Sequence, residues 1–335
     1  MGITKKLWGH YKGQQVYLLT ISNGYLELSV TNFGCTLVSI KIPGDDGIPC
    51  NMILGYDSLD RYIHDPYYMG SIVGRYANRI SGATFNIGDE PYPLSANEPS
   101  TGNHLHGGDE GFNKKVFDII GMLGNERSDS VQFYYRSPDG EEGYPGNLDV
   151  FITYRLTHEN EIIIDYSART DKTTPVNLTS HCYFNLSGSK TPATGHELMI
   201  RADNLLQADE NYIPTGAIMP VKDTCFDFTN YRSLDLLRSA FRGYNECFII
   251  DPATGDQDIK ASLRDPVSGR VMSVKTTLPG MMFYTGDYLD APFIKNQGIC
   301  MEMQFFPDSP NQPHFPNTLL QPGSHYRHKT IYQFN

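Results

Sequence analysis

The sequence contains little that would take it to a membrane, a metal or a nucleic acid. No apolar tract approaches the roughly 18 to 20 residues needed to span a bilayer. Basic residues are outnumbered: 27 Lys and Arg face 38 Asp and Glu, a net charge of −11, so phosphate backbones are repelled and nucleic acid is excluded as a partner. Six cysteines, at positions 35, 50, 182, 225, 247 and 300, are scattered with no C-x-x-C pair. That density is too low for a disulfide framework and the spacing is wrong for zinc, so reduced thiols are expected. The start, Met1 to Lys6, lacks an apolar run and a cleavage pattern, and Lys6 stands where a myristoylation signal wants Ser or Thr. An unprocessed, cytoplasmic protein is the expectation. G-x-S-x-G, G-x-G-x-x-G, P-loop and H-E-x-x-H motifs are all absent, and with them the usual signals for serine nucleophiles, nucleotides and zincin chemistry.

What is present suits strands. Only 19% of residues are charged, 12% are aromatic, and 31 Gly and 21 Pro punctuate the chain. Val16–Ile21 ends at Asn23-Gly24, a hairpin signal, and Leu26–Ile42 resumes in apolar and β-branched residues. Val150, Ile152, Tyr154 and Leu156 alternate, as do Ile162, Ile164, Tyr166 and Ala168 beyond a turn at His158, which predicts a second hairpin. Val131–Tyr135, Val271–Thr277, Met281–Thr285 and Ile299–Phe306 read as further strands. Helices are expected only over Ser233–Phe241 and for one turn at Ser58–Tyr62, capped by Asp57 or Ser58. With no linker or repeat, residues 1–335 are expected to form a single large antiparallel β-sandwich domain with few short helices.

Four segments carry chemistry. Read as a strand, Asn177–Leu186 puts Asn177, Thr179, His181, Tyr183 and Asn185 on one face and apolar residues on the other, as a sugar-sized cleft requires. Ordinary burial of a wet sandwich strand accounts for it equally well. In Gly298–Phe306, Cys300, Glu302 and Gln304 share a face, and a lone carboxylate among Cys, Met and Phe is poorly solvated, which raises its pKa toward that of a working base. His104-Leu-His106 with Glu110 loosely matches part of a cupin metal site. Gly74–Ile80 places Arg75 and Arg79 four apart with Asn78 between them; alone it would be a surface turn or a salt-bridged helix.

Taken in order, Gly74-Arg-Tyr-Ala-Asn-Arg-Ile, Leu105-His-Gly-Gly, Pro138-Asp-Gly-Glu-Glu-Gly-Tyr-Pro-Gly, Pro175-Val-Asn-Leu-Thr-Ser-His-Cys-Tyr-Phe-Asn-Leu, Ile213-Pro-Thr-Gly, Phe283-Tyr-Thr-Gly, Met301-Glu and Gln321-Pro-Gly resemble the aldose 1-epimerases, the galactose mutarotases. The resemblance spans the chain and implies a mutarotase-like supersandwich. It also implies interconversion of the α and β anomers of a free hexose, with no cofactor and no metal. By the same resemblance His181 is the acid toward the ring oxygen and Glu302 the base for the C1 hydroxyl. Asn78, Arg79 and His106 look like sugar ligands, and Tyr183 and Phe283 are candidates to stack on the ring. The family normally has Asp-His where this chain has Asn245-Glu246, and often Gln where it has Met282. Asn245 is therefore expected to hold a hydroxyl weakly, unless Glu246 supplies the missing carboxylate. The alternatives are a relative acting on a disaccharide or sugar phosphate, a non-catalytic sugar-binding protein, and a metal-dependent enzyme built on His104 and His106. A monomer or homodimer is expected.

Overall fold

A computed structural model describes residues 2–44, 47–189, 191–234, 243–251 and 255–335. Three antiparallel sheets dominate it. Five strands, Gly2–Tyr11, Gln14–Ser22, Glu27–Thr31, Leu37–Pro43 and Pro49–Asn51, pair in sequence order. A nine-stranded sheet runs in the order Asp118–Gly124, Ser128–Ser137, Leu148–Thr157, Glu161–Thr170, Tyr326–Phe334, Val271–Thr276, Ala261–Arg264, Glu197–Ile200 and Arg232–Ser233. A six-stranded sheet carries Tyr183–Phe184, Ile299–Gln304, Gly280–Tyr284, Asn245–Ile249, Asn204–Ala208 and Pro214–Pro220. One hydrophobic core draws side chains from all three, from Leu19 to Phe334, as expected when sheets stack by their apolar faces.

Alternation decides most of this. In Leu148–Thr157, Val150, Ile152, Tyr154 and Leu156 are fully buried, and Leu156 pairs with Ile162 across the hairpin. At the first hairpin Asn23 Oδ1 accepts the backbone N–H groups of Tyr25 and Leu26, closing the turn. The predicted run Leu26–Ile42 is two strands rather than one. Gly34 (φ 64°) and Cys35 (φ 45°) turn the backbone between Thr31 and Leu37.

The only α-helix among the described residues is Leu59–Ile63, with Ser58 at its N-cap; no side-chain hydrogen bond caps it, and Leu59 and Tyr62 anchor it by burial instead. Most of the helix predicted over Ser233–Phe241 lies outside the described residues; Ser233 itself ends a strand. No helix among the described residues is long and apolar enough to cross a membrane, and all six cysteines are free.

The predicted strand Asn177–Leu186 is instead a chain of short bridges, Thr179–Ser180 with Ile72–Val73 and Tyr183–Phe184 with Ile299–Cys300. Its polar face is split in use. Asn177 bonds to the backbone of Ala77 and Phe305, and Asn185 to that of Thr191 and Gln297, so both asparagines serve the fold. His181 and Tyr183 alone of that row reach a cleft.

Candidate active site

The cleft, of about 160 Å³, opens where the six-stranded sheet meets the loops around residues 66–68, 78–79 and 105–106. Glu302 sits in the middle of its strand, opposite Met282, and is only 3% exposed. Its neighbours Met282 and Cys247 belong to an apolar cluster with Leu206, Phe306 and Phe315, so water has little access from that side. Burial pushes the carboxyl up to about 8, with the Arg79 charge opposing, and Oε2 has no hydrogen-bond partner.

His181 is fixed by its backbone: its N–H donates to Ser71 O (2.9 Å) and its carbonyl accepts from Gly70 N (2.9 Å). Its Nε2 lies 3.7 Å from Glu302 Oε1, and burial lowers the imidazole to about 4. Removing both groups from water therefore disfavours imidazolium beside carboxylate and favours the proton they share on Glu302. Imidazole with carboxylic acid and imidazolium with carboxylate carry the same charge and differ only in the position of that proton.

His106 stands edge-on to His181, with ring centroids 5.2 Å apart. It adopts φ 52° just before Gly107 and Gly108, and a Cβ at Gly107 would lie 1.9 Å from Gly74 O, so only glycine admits this close approach. Asn78 grips His106 twice: its carbonyl accepts the His106 N–H (3.1 Å), and its own N–H donates to Nδ1 (3.2 Å). Burial holds the His106 imidazole well below the usual value, with the His181 and Arg79 charges adding to this. A neutral ring accepting at Nδ1 carries its proton on Nε2 and is a hydrogen-bond donor toward a ligand.

Arg79 directs Nε and Nη2 at Glu98 (3.0 and 2.6 Å) and stacks over the Tyr212 ring at 5.1 Å. Burial opposes the charge on Glu98, but hydrogen bonds from Arg79 and Thr101 outweigh it and keep the carboxylate below its usual range. Asn78 turns Oδ1 back to the Arg79 N–H (2.8 Å). Tyr68, Tyr183, Tyr284 and Tyr288 complete an aromatic wall, and Asn245 lines the cleft from the start of its strand, opposite Tyr284.

Thus Asn78, Arg79, His106, His181, Tyr183, Asn245 and Glu302, expected from widely separated segments, all line one cleft. Four expectations need correction. Phe283 is fully buried among Phe228, Tyr244 and Phe248; its neighbour Tyr284 faces the cleft. Glu246 lies opposite Phe283 and its carboxylate is turned onto the Asn245 N–H (2.7 Å), so it does not line the cleft. His104 points away from His106, with Nδ1 at Ser95 O (2.8 Å) and Nε2 at Tyr144 Oη (2.7 Å). Arg75 and Arg79 lie neither on a helix nor at the surface: Arg75 is buried against the carbonyls of Ser137, Pro138, Pro145 and Gly146.

Ligand atoms of His106, His181 and Glu302 lie within 4.8 Å of one another, close enough to suggest a metal. The tautomer of His106 argues otherwise. Nδ1 has its lone pair on the Asn78 N–H and Nε2 carries the proton, so the neutral ring offers a cation no free lone pair. Sequence reasoning missed Tyr68, Tyr284, Tyr288 and Glu98. Tyr284 was within reach of the alternation rule; the others depend on loop geometry.

Residues 17–333 match the family model described as aldose 1-epimerase. The chain is 38% identical to the galactose mutarotase of Mus musculus over 100% of its own length and 99% of that protein. It is 36% identical to the aldose 1-epimerase of Escherichia coli K12, covering 96% of each. The crystal structure of a galactose 1-epimerase from Lactobacillus acidophilus superposes with a TM-score of 0.89 at 26% identity, covering 100% of this chain and 98% of the other. A GalM/aldose epimerase homologue from C. elegans gives 0.87 at 29%, covering 95% and 98%. With matches of this extent in sequence and fold, the chain belongs to the aldose 1-epimerase family and is an isomerase.

Proposed function

We propose that the protein interconverts the α and β anomers of a free hexose, with His181 and Glu302 as the acid/base pair. The observation that carries this reading is the 3.7 Å approach of Nε2 to Oε1 inside a buried cleft. As the sugar enters, its hydroxyls and ring oxygen replace lost water and favour imidazolium beside carboxylate. Glu302 removes the C1 hydroxyl proton, the C1–ring-oxygen bond breaks toward the ring oxygen, and His181 protonates that oxygen. The aldehyde end turns about C1–C2 and the ring closes on the other face with the two roles exchanged. Every proton removed by one residue is supplied by the other, and no redox step arises.

Arg79, His106 and Asn78 supply donors to the sugar, and Tyr183 offers a ring face. By the resemblance, Asn245 stands where the family has aspartate. Glu302 is the only acid among the described cleft-lining residues, so a charge-assisted bond to a sugar hydroxyl is missing at Asn245. This supports a weak grip on galactose and a sugar preference of its own. Arg79 is the only cation in that lining and is already committed to Glu98, which disfavours a sugar phosphate. We further propose that the chain works as one domain, as the continuous core suggests, and that it acts in the cytoplasm, consistent with its six free cysteines.

Polarimetry of freshly dissolved α-glucose and α-galactose tests the activity. Accelerated loss of rotation is expected, and rates equal to the spontaneous ones with every aldose tried would refute it. Binding without turnover would instead identify a sugar-binding protein.

A further inference from the structure

We propose that Glu98 is a positioning residue for the sugar-holding Arg79: it fixes one edge of the guanidinium so that the other is offered to the sugar, and its negative charge offsets the positive one beside Glu302. The fork occupies Nε (3.0 Å to Oε2) and Nη2 (2.6 Å to Oε1). Nη1 has no partner among the described residues, and in a side chain that lines the cleft its N–H groups are left for hydroxyls. The Tyr212 ring covers the same group at 5.1 Å, so the guanidinium plane is held at an edge and a face.

Glu98 is itself built into the fold beside the cleft. Its Oε2 accepts from Thr101 Oγ1 (2.5 Å) and Asn103 Nδ2 (3.4 Å), and its carbonyl accepts the N–H groups of Thr101 and Gly102. The chain then runs into His104–Leu105, which pairs with Arg79–Ile80, and on to His106. One short segment therefore carries a sugar donor and the group that aims another. Glu98 does not line the cleft, so it acts through Arg79 rather than on the sugar.

The charge matters because the acid/base pair has few fixed charges around it. Glu302 is faced by Arg79 and His181, by the thiols of Cys182, Cys247 and Cys300, and by the phenols of Tyr183 and Tyr332. His181 is faced by His106, Tyr68, Tyr183 and Cys300. Burial holds these thiols and phenols above their usual values and lowers both imidazoles, which leaves Arg79 as the permanent charge of the set. Arg79 pulls the Glu302 carboxyl down against burial, and a carboxylate bonded to that guanidinium weakens the pull.

This inference rests on the reading of Arg79 as a sugar donor beside an acid/base pair, and its test separates the two. Glu98→Gln keeps the size and one acceptor and removes the charge. Polarimetric kcat/KM should fall on the order of tenfold, mainly through KM. The alkaline limb of its pH profile should move to lower pH by about half a unit or more, since Arg79 is no longer balanced. Glu98→Asp keeps the charge with a shorter reach, so KM should rise while the limb stays at the wild-type position. Calorimetric binding of galactose, which needs no turnover, should weaken about three- to tenfold in Glu98→Gln. Wild-type KM and limb in a folded Glu98→Gln protein would overturn the proposal, as would a limb displaced equally in Glu98→Asp. If Glu98→Gln does not fold, Glu98→Asp decides, and a wild-type KM there would overturn it. An inactive wild type that binds galactose, with binding weakened in Glu98→Gln, would refute the acid/base reading alone.

Discussion

The floor and the rim of the cleft are built differently. On the floor the candidate residues are held by backbone: His181 between Ser71 and Gly70, His106 by both peptide groups of Asn78, and Glu302 in a strand paired on both sides. At the rim the tyrosines also meet one another through their side chains. Tyr288, 63% exposed, meets Tyr212 through their hydroxyls (2.8 Å) and lies stacked at 23° on Tyr284, while Asn245 stands at the first position of its strand. A single substitution at the rim changes what is read without disturbing the fold, whereas the floor tolerates little. On the proposed reading, that difference lets the acid/base pair stay in place while Asn245, the proposed hydroxyl-reading position, stands where the resemblance implies Asp.

Substitutions on the floor should show the largest effects. Glu302→Gln keeps the shape and removes the base, and a loss in kcat on the order of 10²–10⁴ is expected by polarimetry, with an unchanged circular dichroism spectrum. Near-normal turnover would erase the distinction between floor and rim. Arg79→Lys lies between the two regions. The two-pronged bond to Glu98 is lost, and kcat/KM should fall about 10- to 100-fold, from about 1.5–3 kcal/mol of charged hydrogen bonding; an unchanged value would show that the guanidinium fork has no part in holding the sugar. At the rim, Asn245→Asp should lower KM for galactose by less than about tenfold and leave kcat nearly constant, since a charged acceptor is roughly twice as strong as a neutral one. An Asn245→Asp effect confined to kcat would move Asn245 from the rim to the chemistry.

The hairpin of Leu148–Thr157 with Glu161–Thr170 was fully legible in the sequence, because a strand with one buried face writes its period into the residue order. Glu302 was legible for a related reason: a lone carboxylate among apolar residues is costly to bury, and such a cost is met most often where the raised pKa is put to chemical use. Phe283 and Tyr284 show the limit of such reading: a shift by one residue reverses the face, and both aromatic rings are plausible in either place. Asn177–Leu186 kept the right residues in view but not the right shape, since its hydrogen bonds go to three separate partners rather than to one strand. His104 and His106 are indistinguishable by type and spacing. What separates them is the positive φ at His106, set by the close approach of Gly107 to Gly74, a contact between segments 33 residues apart that no local pattern records.

The central claim is that His181 and Glu302 hold one proton between them. The most direct measurement is kcat/KM from polarimetric initial rates across pH 3–10, with circular dichroism confirming the fold at each point. Below about 4 both groups are protonated and no base remains; above about 8 the shared proton is lost and no acid remains. A bell with limbs near those values is the predicted result, and Glu302→Gln should flatten it. A wild-type rate that stays level from pH 3 to pH 10 in a folded protein would contradict the account.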